Sequence, residues 1–160
     1  FRSGCPFLVD TLPSVRTRGC AAWQTKAAEL VQTMQPDLVV VANRSAGYTL
    51  PKFPDVAPWR TITVDGTTVA KDQDEAIDVW ARGFDAMLAS LGEQSIPVLV
   101  IDVVPEFASD FAPRLSLLRP DLGTPSVSMD DVALRRAAVL KAEHEVIERY
   151  DHVEAYDPAE

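Results

Sequence analysis

The sequence is poor in the residues that mark the commonest metal and nucleotide chemistries. Of 160 residues only two are cysteine and two histidine. No Cys-x-x-Cys or compact His/Cys cluster occurs, so no metal site is expected. Glycine-rich phosphate loops are absent as well, which argues against nucleotide binding, and no cofactor is expected. Basic residues are outnumbered, 15 Lys and Arg against 24 Asp and Glu, for a formal charge of −9. A nucleic-acid partner needs clustered Lys and Arg to neutralise phosphates and is therefore excluded. Long hydrophobic runs are also missing. The most apolar stretch, Ile96 to Val104, is short and carries Asp102, whereas a membrane helix needs about 20 apolar residues. No direct membrane insertion of this segment is expected. The chain opens at Phe1 without methionine, basic n-region or hydrophobic leader, and reads as a piece of a longer protein.

What is present is enough apolar material, 47% of residues, for one globular core. Trp23, Ala27, Leu30, Val31 and Met34 recur at helical spacing over Ala21 to Gln35 and stop at Pro36. The unbroken apolar run in Asp37 to Ala42 predicts a buried central parallel strand. Asn43 to Arg60, with three prolines and several aromatics, reads as an irregular packed connection, and Asp65-Gly66 suits a tight, peripheral hairpin. From Asp74 to Leu91 the apolar positions follow the 3.6-residue period, with Asp72 and Glu75 as cap and Gly92 as stop. Pro97 to Val104 is the second apolar strand. The proline-rich stretch from Pro105 to Pro125 is long enough to serve as a lid. Ser128 and Asp131 open a third helix with Val139, Leu140, Val146 and Ile147 on its apolar face, and His152 to Asp157 forms a short third strand. Alternating helices and strands predict a three-layer α/β/α domain with a mainly parallel sheet, spanning residues 1–160 as a single unit.

In such sheets the ligand crevice lies beyond the carboxyl ends of the strands. Asn43-Arg44 and the Asp102 to Pro105 region occupy those ends. An Asn amide there can donate to a developing oxyanion, and Arg44 can hold a carboxylate or sugar hydroxyl. Equally, Asn43 can begin a turn and Arg44 can pair on the surface. Asp102 can orient a base or cap neighbouring N–H groups. Asn43-Arg44-Ser45 matches the N-glycosylation pattern incidentally. No Gly-x-Ser-x-Gly or Gly-Asp-Ser supplies a nucleophile, and His144 and His152 read as structural. Cys5 and Cys20 fit either a disulfide, worth about 3 kcal/mol at this spacing, or two buried thiols.

Ser3-Gly4-Cys5-Pro6, Cys20-Ala21-Ala22-Trp23, the Pro36 to Arg44 strand ending near Tyr48, and Val98 to Pro105 together resemble the SGNH-hydrolase domain. Specifically, they resemble the extracytoplasmic SGNH domain fused to membrane acyltransferase-3 proteins of the O-antigen and peptidoglycan O-acetylase type. The resemblance implies a flavodoxin-like architecture, a Cys5–Cys20 disulfide, and a site outside the cytoplasm, tethered to the membrane through the rest of the protein. It implies acyl transfer, of acetyl in the first instance, through an acyl-serine to a cell-surface carbohydrate, with the acyl donor delivered by a membrane acyltransferase domain. A carbohydrate esterase and a non-catalytic glycan- or partner-binding module are the alternatives. The family's Gly-Asp-Ser and Asp-x-x-His blocks fall outside this central part: the residues three before His144 and His152 are Lys141 and Arg149. Gly4 and Asn43 correspond to its oxyanion-hole elements, although Asn43-Arg44 replaces the Gly-x-Asn-Asp of free-standing relatives. Arg44 and Asp102 are the substrate-binding candidates. Arg16, Arg18 and the Pro105 to Pro125 loop are the expected places of acceptor contact.

Overall fold

The computed structural model describes residues 5–13, 17–49, 62–64, 68–102 and 128–158. Among these residues ten elements follow in order: β1 (Thr11–Pro13), α1 (Thr17–Met34), β2 (Val39–Ala42), α2 (Ala46–Thr49), β3 (Ile62–Val64), β4 (Thr68–Val69), α3 (Gln73–Gly92), β5 (Val98–Ile101), α4 (Met129–Ile147) and β6 (Val153–Tyr156). The expected parallel sheet is present, in the order β2-β5-β6, with Val39 opposite Val98 and Val98 opposite Val153. Helices follow β2 and β5 and return the chain to the next parallel strand, so the α/β reading holds.

One expectation needs correction. Among the described residues β2 is an edge strand and β5 the central one. The apolar run of β2 is therefore not buried throughout: Val41 is in the core, whereas Val40 is 53% exposed. The sheet's buried face carries Val41, Val98, Val100 and Val153, and it packs against Trp80, Phe84 and Leu88 of α3 and Val139, Val146 and Ile147 of α4. On the opposite face Val40 and Tyr156 stand half exposed or more.

Helix α3 begins where the sequence signals it. The Asp72 side chain accepts from the Glu75 N–H at 2.9 Å, and the Glu75 carboxylate accepts from the Lys71 N–H at 2.6 Å, so the first turn is capped reciprocally. Gly92, expected as the stop, lies instead inside the last turn, and Glu93 is the C-cap. Its missing side chain serves packing: a Cβ there would lie 2.6 Å from the His152 ring. Helix α1 starts at Thr17, ahead of the expected Ala21, and ends at Met34 as Pro36 requires.

A second, antiparallel sheet, β1-β3-β4, contains the expected hairpin as β3 and β4; the Asp65-Gly66 turn itself lies outside the described residues. Strand β1 was not legible in the sequence. It packs on α3 because Gly83 leaves room: Val9 N–H donates to the Gly83 carbonyl at 3.1 Å, and an added Cβ would sit 2.9 Å from the Val9 oxygen. Cys5 and Cys20 are joined in a disulfide, with Cα atoms 5.3 Å apart, which ties the segment before β1 to α1.

Candidate functional site at the carboxyl edge of the sheet

Asn43 follows Ala42, Asp102 follows Ile101 and Asp157 follows Tyr156, and those three preceding residues are mutual register partners. Parallel pairing thus sets Asn43, Asp102 and Asp157 side by side on one face, about 5 Å apart from strand to strand. It is the face covered by α3 and α4, and each of the three side chains has a different partner there.

Asn43 accepts the Phe7 N–H on Oδ1 at 3.3 Å. This bond fixes the amide orientation, leaving Nδ2 as a buried donor without a partner. Phe7 is itself held from α1: its ring meets Trp23 edge-on with centroids 6.0 Å apart, and the Gln24 amide donates to the carbonyls of Pro6 and Thr11, each at 2.9 Å. The disulfide anchors the same segment, so a route runs from Cys5–Cys20 through Phe7 to the Asn43 amide.

Among the described residues Asp102 caps no backbone N–H. Its side chain, 1% exposed, lies with Oδ2 at 2.7 Å from His144 Nε2, and the His144 side chain remains 47% exposed. The other oxygen, Oδ1, is buried without a partner. Asp157 receives a bidentate bond from Arg136 of α4, at 3.1 and 2.8 Å. Next to His144, Glu143 is buried, accepting from Trp80 Nε1 at 2.9 Å and from Ser45 Oγ at 3.2 Å. Desolvation lifts its carboxyl from 4.5 to about 7; the bonds from Trp80 and Ser45 pull downward, the Asp102 charge adds to the rise and His144 opposes it. Tyr48 stacks on Trp80 with centroids 5.6 Å apart, closing this polar cluster from the side of α2.

The structure therefore brings together Asn43 and Asp102, which the sequence singles out, with His144 and Glu143, which it does not. The sequence carries a signal for Glu143: it stands four residues after Val139 and four before Ile147, a carboxyl inside an apolar stripe. Nothing local signals the His144–Asp102 pair. Arg44 is exposed, its side chain lying against Gly47. The glycosylation pattern is closed off, since Asn43 Nδ2 and Ser45 are both buried. His152 is structural as expected, with Nε2 at 3.2 Å from the Leu88 carbonyl. Gly4, Arg16 and the Pro105 to Pro125 loop lie outside the described residues, as does the side chain of Arg18. Among the described residues no cluster of His, Cys, Asp and Glu could hold a metal ion, and no helix is long and apolar enough to cross a membrane.

Chemically, the edge offers an oriented amide donor, an imidazole backed by a buried carboxylate, and an Arg–carboxylate pair. The family model of the SGNH domain fused to AT3 domains matches residues 1–160, and the chain belongs to this family, an SGNH-type hydrolase or acyltransferase module. No curated protein and no solved structure matches the chain.

Proposed function

From membership in that family we propose that the chain is part of an extracytoplasmic O-acyltransferase that moves an acyl group, acetyl in the first instance, onto a cell-surface carbohydrate. The observation that carries this reading is the Asn43 amide, oriented by Phe7 at the carboxyl edge of a parallel sheet with its Nδ2 donor unused. In this reading Asn43, with the backbone N–H of Gly4, stabilises the tetrahedral oxyanion formed as a serine takes the acyl group from the donor and as the acceptor hydroxyl takes it from the serine. The serine, with its histidine and aspartate, belongs to Gly-Asp-Ser and Asp-x-x-His blocks that these 160 residues do not contain. The AT3 partner domain supplies the acyl donor across the membrane, and the Cys5–Cys20 bond favours an oxidising compartment.

Asn43→Ala in the complete protein is the test. Losing one oxyanion donor costs about 100- to 1,000-fold in turnover, with circular dichroism unchanged. An unaltered rate would remove Asn43 from the mechanism. Acylated sugar as product supports the transferase; free acid alone, with the same loss in the variant, makes the domain an esterase; and no covalent acyl-enzyme in the unaltered protein leaves a binding module.

A further inference from the structure

We propose that His144 is an acceptor-binding residue of this site, presenting a hydrogen-bond acceptor to a hydroxyl of a neutral carbohydrate; the inference rests on the carbohydrate-acceptor reading above. Asp102 is buried, and a carboxylate beside an imidazole nitrogen accepts from it, so Nε2 carries the proton. With Nε2–H given to Asp102, Nδ1 is the ring nitrogen left to accept. Nδ1 has no hydrogen-bond partner among the described residues, and the side chain is 47% exposed. A residue serving only to satisfy Asp102 needs no such exposure.

The position suits an acceptor. Asp102 and Asn43 leave the same face of adjacent strands, so the His144 ring is bonded at the strand end next to the one that carries the amide assigned to the oxyanion. The surroundings select against anions. Asp102 and Glu143 lie next to the ring, Asp157 is the next strand-end side chain, and its charge is already matched by Arg136. A hydroxyl, which donates to an imidazole nitrogen without bringing negative charge, fits; a phosphate or carboxylate does not.

Two substitutions divide the ring between them. In His144→Gln the amide nitrogen is as many bonds from Cβ as Nε2, so a donor to Asp102 is kept while the acceptor at the Nδ1 position is lost. In His144→Asn an amide oxygen takes the Nδ1 position and the reach to Asp102 is lost. The assay uses the complete protein with p-nitrophenyl acetate as acyl donor and methyl α-D-glucopyranoside as acceptor, and reads the ratio of acetylated sugar to free acetate. This ratio reports acceptor capture whatever the total turnover. Losing one neutral hydrogen bond should lower it about 2- to 10-fold in the Gln variant, with the Asn variant falling less. A purely structural role gives the opposite order, because Gln preserves the Asp102 contact; that order, or an unchanged ratio in both variants, overturns the inference. Saturation-transfer NMR of the same sugar needs no turnover and separates the two readings. Sugar signals that weaken in the Gln variant, without p-nitrophenol release by the unaltered protein, would overturn the proposed function and support the subsite. Absence of both transfer to the sugar and saturation transfer with the unaltered protein overturns the subsite.

Discussion

Glu143→Gln should stabilise the domain at alkaline pH and leave it nearly unchanged in acid. The Glu143 carboxyl is raised from 4.5 to about 7, chiefly by burial. Between those values the folded chain holds a proton that the unfolded chain has released, so stability falls as pH rises through this window and levels off above about 7. The gap of about 2.5 pH units, at about 1.36 kcal/mol per unit, makes this contribution about 3 kcal/mol. Gln does not ionise, yet it retains an oxygen for Trp80 Nε1 and turns an amide nitrogen toward Ser45 Oγ, which can accept. Urea denaturation at pH 4.5 and pH 8 should give a variant-minus-parent difference close to zero at the lower pH and up to about 3 kcal/mol at the higher. For a domain of this size that corresponds to a rise of about 6 to 12 °C in Tm. A difference of the same size at both pH values would refute the argument, because it would show that Glu143 enters and leaves the fold with the same charge. Loss of stability at pH 8 would show that the ionised carboxylate is a net contributor through its two hydrogen bonds.

Reduction of Cys5–Cys20 should destabilise the chain by about 3 kcal/mol through the freed loop; denaturant titration with and without reductant measures it, and equal midpoints would sink the estimate. The same treatment should lower turnover of the complete protein below what unfolding explains, since the bond anchors the segment whose Phe7 N–H orients Asn43. Gly83→Ala should cost about 1 to 3 kcal/mol by overpacking, because its Cβ would press on Thr11 and stand 2.9 Å from the Val9 carbonyl oxygen. A thermal scan of the variant less than about 2 °C below the parent, the smallest shift a cost of about 1 kcal/mol allows in a domain of this size, would mean that the β1 segment lifts off α3 freely.

The parallel sheet and its crossover helices were readable because their signals are local. Leu38 to Val41 and Val98 to Ile101 are unbroken apolar runs, and α3 joins a strict 3.6-residue stripe to a capping box at Asp72 and Glu75. Strand β1 had no such signal: Thr11–Pro13 is three residues in a proline-containing segment, and its partner, Ile62–Val64, is remote in the chain. The place of β2 at the sheet edge was hidden for a related reason. An apolar run says that a strand is covered but not how many neighbours it has, and Val40 at the exposed face reads the same as Val41 in the core. At the site, strand ends pointed to Asn43 and Asp102, but their partners were beyond reach of pattern. His144 lies 42 residues from Asp102 and Glu143 lies 63 from Trp80. A periodicity count puts Glu143 in the apolar stripe without naming Trp80 as its partner, and it leaves His144 on the charged helix surface.

Why the polar cluster is tolerated at all follows from how the load is divided. The sheet alone would leave Asn43, Asp102 and Asp157 pointing together into the helix layer, and two carboxylates side by side, one of them buried, repel. Helix α4 resolves this within about two turns: Arg136 meets Asp157, and His144 meets Asp102, so each strand-end carboxylate has its own nitrogen partner. Glu143, on the same helix, is raised to about 7 chiefly by its burial, with the Asp102 charge adding to the rise and His144 opposing it, so it takes up a proton more readily than an exposed carboxyl. Asn43 needs no counter-charge and is held by a backbone N–H instead. Two of the buried polar atoms without partners among the described residues, Asn43 Nδ2 and Asp102 Oδ1, fall on adjacent strands at the carboxyl edge. One donor and one acceptor left over at neighbouring strand ends is the pair that the proposed oxyanion and hydroxyl contacts would satisfy.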